Sequence, residues 1–280
     1  MKSLLLPAAV LVAVVPAAPA FAQTEPSNTA SGVPTTPAEP PTTSNSPFMI
    51  SGSAALVSQY RFRGISQSDN KPVVQGSFTL AHRSGFYASV WGSSANANDA
   101  VNIGGTEIDV YGGYSHGLGQ SGVTVDAGVY GYLYPGSRRA VGISENYYEL
   151  YASLARSLGP VTAKAGVYWA PSQSYFRRFD TATRYNLYEY AELGTALPGI
   201  PLLLHAHVGH SGGGFDYAGH DYVDYTLGAS AKWKALTADL SLVGTNLSRH
   251  DTSAADLALG THDFHRSAKP VLVGSLTASF

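Results

Sequence analysis

The side chains best suited to chemistry fall at alternate positions of strand-like runs. Glu107 and Asp109 are two residues apart, as are His205 and His207. Asp126, Glu149, Asp224 and Asp239, with the bases Lys164 and Lys232, each sit on the polar side of an alternating run. Such spacing places side chains on one face of a sheet. A wall of mixed charge with acid in excess suits electrostatic selection of cations, or it is filling in which charges pair with one another. The residues leave both open.

Catalytic patterns are weaker. The run GHSGG (Gly209–Gly213) fits G-x-S-x-G. A nucleophile elbow needs a strand, a strained turn and a helix, and here a glycine-rich loop follows. His205, His207, His210 and His220, with Asp216 and Asp221, are dense. Their spacing is irregular for the three or four convergent ligands that zinc requires. Serines occur with outward His116 and His210, but no oriented Ser–His pair can be built from the pattern. No catalytic residue, metal or cofactor is expected.

The elements that must position these groups are strands. Twelve runs alternate with period two, centred on 51–63, 72–82, 85–93, 106–116, 122–134, 146–157, 161–171, 184–197, 201–210, 222–233, 235–246 and 270–280. In GVTVDAGVYGYL, Val123, Val125, Ala127 and Val129 oppose Thr124, Asp126, Gly128 and Tyr130. In YVDYTLGASAKW, Val223, Tyr225 and Leu227 oppose Asp224, Thr226 and Gly228. One run resists assignment: in 184–197, Leu187, Ala191 and Leu193 put Glu189 on the apolar side, whereas Tyr188 and Tyr190 put Glu192 there.

The connections alternate short and long, from HRSG and SLGP to SSANANDAVNIGG and LSRHDTSAADLALGTHDFHRS. A meander of hairpins with unlike ends gives that rhythm. The runs are also long. A tilted strand needs about 9–11 residues to cross a hydrocarbon layer, against about 5–6 in soluble sheets.

Composition agrees. Charged residues make up 13% of the 280, about half the usual share of a soluble domain. There are 18 Tyr, 30 Gly and no Cys. The near-balanced charge excludes a nucleic-acid partner. Apolar outer faces need a lipid solvent, and a sheet in lipid must close to satisfy its edges. The expected fold is all-β: a single closed antiparallel up-and-down transmembrane barrel of about twelve strands, spanning 48–280, in the bacterial outer membrane. Residues 1–22 read as a signal peptide, with Lys2, an apolar run and Ala20-Phe21-Ala22. Residues 23–47, rich in Pro, Thr and Ser, read as a disordered leader.

On this fold Tyr60, Phe62, Phe86, Trp169, Tyr225, Trp233 and Phe280 are expected as outward girdle aromatics at headgroup depth. Arg61 and Arg63, alternating with Tyr60 and Phe62, then line the mouth of the lumen opposite the acidic wall. Arg138, Arg139, Arg177 and Arg178 fall in outer loops, where they suit bidentate contacts to lipopolysaccharide phosphates.

The stretch from Ser58 to Gln67, the KPVVQG run (Lys71–Gly76) and the hairpin from His82 to Trp91 resemble the opening of the TorF family of porins. The Glu149–Tyr151 run and the Gly159-Pro160 turn are weaker echoes. The resemblance implies an outer-membrane barrel with a channel role and carries no binding residues. A final amphipathic strand ending in Phe280 likewise resembles the signal read by the barrel assembly machinery. The reading is therefore a passive channel for small hydrophilic solutes. The alternative is a plugged barrel serving as a structural protein or a lipid-processing enzyme.

Overall fold

The computed structural model describes residues 46–95, 103–141, 144–177, 185–215, 221–259 and 264–280. The expected signal peptide and all but the last two residues of the leader lie outside them, as do Arg178, Asp216 and His220. The strands are β1 (Phe48–Val57), β2 (Arg61–Phe62), β3 (Ile65–Ser66), β4 (Val73–His82), β5 (Phe86–Ser94), β6 (Thr106–Gly117) and β7 (Val123–Leu133). They continue as β8 (Tyr147–Leu158), β9 (Val161–Ala170), β10 (Asn186–Ala196), β11 (Leu202–Gly213), β12 (Tyr222–Trp233), β13 (Leu236–Thr245) and β14 (Val271–Ser279).

From β4 to β14 each strand pairs antiparallel with the next. β1 pairs with both β4 and β14, which closes a barrel of twelve strands. At the seam the Gly52 N–H donates to the Phe280 carbonyl and the Phe280 N–H to that of Gly52, both at 3.0 Å. The Phe280 ring covers Gly52, where a Cβ would lie 2.5 Å from Cζ.

The period-two pattern sorts the faces. Ile50, Leu56, Val110, Val129, Leu154, Leu227, Leu240 and Leu272 are exposed on the outside. Tyr130, Tyr132, Glu149, Tyr168, Tyr188 and Asp224 are buried inside. An apolar exterior around a polar interior is the inverse of a soluble fold and matches a wall solvated by lipid. In β10, Glu192 points in and is 6% exposed, while the Glu189 side chain points out at 57%.

One expected strand is corrected. The run 51–63 begins earlier, at Phe48, and leaves the wall at Val57. The chain then enters the barrel, turns, and rejoins the wall at Val73, which pairs with Val57. Inside, β2 and β3 form a hairpin with Phe62 opposite Ile65. Its two-residue turn, Arg63-Gly64, has φ of 46° and 79°, as a primed turn requires at both positions. Glycine is needed at 64 for space as well: a Cβ would lie 2.6 Å from Thr245 Cγ2 and 2.8 Å from the Gly244 carbonyl oxygen.

The long connections share one end of the barrel and carry four short helices: α1 (Ser137–Val141), α2 (Ser174–Arg177), α3 (Arg249–Leu259) and α4 (His265–Ala268). The sequence showed no sustained helical period, but α3 has a capping signal. The Ser248 N–H donates to Asp251 Oδ2 at 2.8 Å and the Asp251 N–H to Ser248 Oγ at 3.3 Å, a reciprocal S-x-x-D box. Phe264 and Ala268, in and beside α4, pack on Ile65 of the hairpin with Tyr222 and Leu247.

Candidate functional site

The lumen holds the charged side chains, and it has two levels. At the long-loop level the hairpin fills the barrel. Arg61 and Arg63 are both 2% exposed and Tyr60 is fully buried. The Arg61 guanidinium donates to Gln59 Oε1 (2.9 Å), the Gly64 carbonyl (2.7 Å), the Lys269 carbonyl (3.1 Å) and Asn70 Oδ1 (3.1 Å). These acceptors are neutral. Burial lowers its pKa to about 10, so it stays charged at neutral pH and ties the hairpin to the chain entering β14.

Arg63 meets the opposite wall. Its Nη2 donates to Glu149 Oε2 at 2.6 Å, and Tyr132 OH donates to the same oxygen at 2.9 Å. The guanidinium carbon lies 4.1 Å from the ring centre of Tyr188, 4.7 Å from Phe62, 5.5 Å from Phe215 and 5.8 Å from Tyr168. Burial is the largest influence on Arg63 and opposes its charge, but the Glu149 carboxylate and the hydroxyls of Tyr132, Tyr147 and Tyr188 together outweigh it and hold the pKa above its ordinary value. A desolvated pair of this kind is costly to break from one side, because the remaining charge has no water.

Around the hairpin stand tyrosines whose hydroxyls serve inward carboxylates. Tyr134 OH donates to Glu107 Oε1 at 3.2 Å and Tyr130 OH to Asp109 Oδ2 at 2.8 Å. Tyr188 OH donates to Asp224 Oδ2 at 3.0 Å and lies 2.8 Å from His207 Nε2.

The second level, toward the short turns, is charged on one side. Lys164 Nζ is 3.7 Å from Glu192 Oε2, and His207 Nδ1 is 3.3 Å from Glu192 Oε1. His205 Nε2 is 2.7 Å from Asp239 Oδ2, whose other oxygen accepts from Ser241 Oγ at 2.6 Å. Asp126 accepts from Tyr87 OH at 2.8 Å. The facing strands β14, β1, β4 and β5 offer hydroxyls: Thr277, Ser53, Ser77, Thr79 and Ser89, with Ser53 Oγ 2.8 Å from Ser77 Oγ.

Of the residues expected to line a pore, Arg61, Arg63, Glu107, Asp109, Asp126, Glu149, Asp224 and Asp239 are buried inside the barrel, and Lys164 is nearly so. Lys232 has the inward parity but sits exposed at the short-turn rim. Phe86, Trp169, Trp233 and Phe280 are exposed on the outer face near strand ends, and Tyr225 is half-buried there. Two expected girdle residues are corrected. Tyr60 and Phe62 lie inside, packed on Trp91 and on Tyr132 with Phe215, because the strand had ended at Val57. The sequence alone does not assign Glu192 to a face; its parity with Tyr188 and Tyr190 is the signal that does. His210 and Glu189 face outward 3.8 Å apart, with Asp221 Oδ2 3.8 Å from the other His210 nitrogen. Among the described residues that group is His210, Glu189 and Asp221.

A closed antiparallel wall of twelve strands, apolar outside and charged within, defines an outer-membrane-type β-barrel. The solved NanC porin has the same fold, with a TM-score of 0.51 and 10% identity over 83% of this chain and 99% of that one. An outer membrane channel from Pseudomonas putida F1 matches at a TM-score of 0.46 and 13% identity, over 82% of this chain and 95% of that one. LpxR from Salmonella typhimurium matches at 0.41 and 8%, over 82% and 99%. Only the first of these scores is high enough to bear on the fold. The chain belongs to the Gcw_chp family, described as bacterial proteins of unknown function, whose profile matches residues 41–280. No curated protein matches the sequence.

Proposed function

We propose that this chain is an outer-membrane porin, a passive channel for small hydrophilic solutes, whose long-loop mouth rests closed by the β2–β3 hairpin. The observation that carries the reading is the contrast between the two levels of the lumen. Toward the short turns, inward Ser51, Ser53, Ser77, Thr162, Thr237 and Thr277 are half-buried, the exposure of a vestibule open at that end, while the charged groups beside them, Asp126, Glu192, His205 and Asp239, are buried. At the hairpin, Tyr60, Arg61, Arg63 and Ile65 are sealed. Inward carboxylates outnumber Arg61, Arg63 and Lys164, so the open channel prefers cations. The porin role is also what the resemblance to the TorF family implies.

The depth of the seal favours a second reading, a barrel whose lumen stays filled and whose role is structural. Planar-bilayer recording of purified protein separates the two. Discrete conductance steps that grow more frequent when the hairpin is released support the porin. A folded, heat-modifiable band on a gel with no steps from wild type or a hairpin-released variant overturns it and leaves the filled barrel.

A further inference from the structure

Arg63 is an unusual residue for the tip of a primed turn. At φ 46° the backbone is in the left-handed region, where a turn chosen for its backbone alone carries Asn, Asp or Gly. The side chain must account for the choice, and its surroundings are those of a ligand in a site. One carboxylate, buried and braced by Tyr132, faces the guanidinium, and aromatic rings of Tyr188, Phe215 and Tyr168 come from three separate segments of the chain. A carboxylate inside aromatic walls is the general chemistry for capturing an organic cation.

The fit is incomplete in an informative way. Guanidinium and carboxylate match as a fork, with two parallel hydrogen bonds. Here a single bond forms, from Nη2 to Oε2. Arg63 Nη1 and Glu149 Oε1 are both buried without a hydrogen-bond partner among the described residues. The hairpin that carries Arg63 is tethered by the bonds of Arg61 to the Gly64 and Lys269 carbonyls, so Arg63 does not approach Glu149 as a free group. An untethered guanidinium is under no such restraint and can engage both oxygens.

We propose that Glu149, braced by Tyr132 and walled by Tyr168, Tyr188 and Phe215, is a binding site for a guanidinium-bearing solute, and that Arg63 occupies it as a built-in surrogate. Displacement of Arg63 by such a solute frees the hairpin from the wall, so the permeant cation competes with the plug. Entry through the lumen rests on the porin reading, but the site itself is testable without any current.

The test uses full-length protein folded in detergent, with methylguanidinium as probe and methylammonium as comparison, read by calorimetric titration and by the thermal midpoint. In Arg63→Ala the surrogate is gone and the rings remain. Methylguanidinium is expected to bind this variant about tenfold or more tighter than wild type, where Arg63 competes, and to raise its midpoint. It is expected to bind about tenfold or more tighter than methylammonium, which cannot form the fork. Adding Glu149→Gln should abolish the gain. If Arg63→Ala does not give a folded band, Arg63→Gln is titrated in its place with the same expectations. Binding no tighter than wild type, or equal binding after Glu149→Gln, overturns the site; equal binding of methylammonium overturns the guanidinium assignment. Bilayer recording of the same preparations keeps the two readings apart. Binding without current sinks the porin and keeps the site, and current without binding does the reverse.

Discussion

Glu149→Gln removes one charge from a pair that has no water around it, and its effect can be sized. Breaking a buried ion pair from one side costs about 3–5 kcal/mol, because the surviving charge is stranded. Arg63 and Glu149 are 2% and 0% exposed at the side chain, so they belong to that regime. Gln can still accept from Nη2, which puts this substitution near the lower figure. The hairpin need not bear the cost in place, since Arg63 regains water if the hairpin swings out of the lumen. The cost therefore shifts the docking equilibrium rather than the stability of the wall. At about 1.36 kcal/mol per tenfold, the undocked population rises roughly 150- to 5,000-fold, up to the point where it dominates. Trypsin reads this population. It cuts after Arg61 and Arg63, both sealed in the docked state; Lys71 precedes Pro72 and is not a competing site. When undocking is fast relative to cleavage, the cutting rate follows the undocked fraction. Mass spectrometry of folded protein in detergent should show cleavage at Arg61–Phe62 rising by at least two orders of magnitude in Glu149→Gln. The double variant Arg63→Gln, Glu149→Gln removes both charges and should return within about tenfold of wild type at the same bond. A single variant that is cut no faster than about tenfold over wild type would show that the pair does not hold the hairpin, and the reasoning fails.

Three further outcomes follow from other parts of the barrel. Gly52→Val places a Cβ 2.5 Å from the Phe280 ring and 2.9 Å from the Ser77 carbonyl oxygen, so overpacking should cost about 1–3 kcal/mol in urea unfolding, part of it regained with Phe280→Ala; an unchanged midpoint refutes the packing at the seam. Trp91 is 3% exposed inside the barrel, whereas Trp169 and Trp233 are 43% and 66% exposed outside, so brominated detergent should quench wild-type emission and spare a Trp169→Phe, Trp233→Phe variant; equal quenching refutes the face assignment. In a conducting preparation, Glu192→Gln leaves Lys164 and His207 without their shared carboxylate and should move the reversal potential toward anions more than Asp126→Asn, and no shift from either refutes selection by lumen charge.

The wall was legible because a barrel strand carries its information locally. Period two alone separated Asp126 from Val125 and Asp224 from Val223, and each of the twelve runs became one wall strand. The pattern failed where tyrosine is ambiguous. Tyr188 and Tyr190 count as apolar in a hydropathy alternation, yet the hydroxyl of Tyr188 lies among Asp224 and His207, so an apolar-looking face turned inward and Glu189 turned out. It failed again at YRFRG, since alternation looks the same whether a strand stays in the wall or folds into the lumen. The deciding cue was the Arg-Gly pair at the turn, which only backbone conformation makes plain. Tyr60 and Phe62 moved inside for that reason. Partnership across the lumen was never local: Arg63 and Glu149 are 86 residues apart, brought together by closure of the sheet.

The hairpin leaves the wall at Val57 and returns at Val73, and these two residues face each other on one rung of the β1–β4 ladder. No hydrogen bond of that ladder is spent on the excursion. The fifteen residues between them are thus an inset rather than a course of the masonry, and their removal leaves neighbouring strand ends in register for a two-residue Asn-Gly turn. A chain shortened in this way keeps the complete cylinder while emptying its upper bore. Plug and cylinder are for this reason separate in their strand pairing and joined chiefly through side chains, among them Arg63 on Glu149 and Ile65 on Tyr222, Leu247 and Phe264.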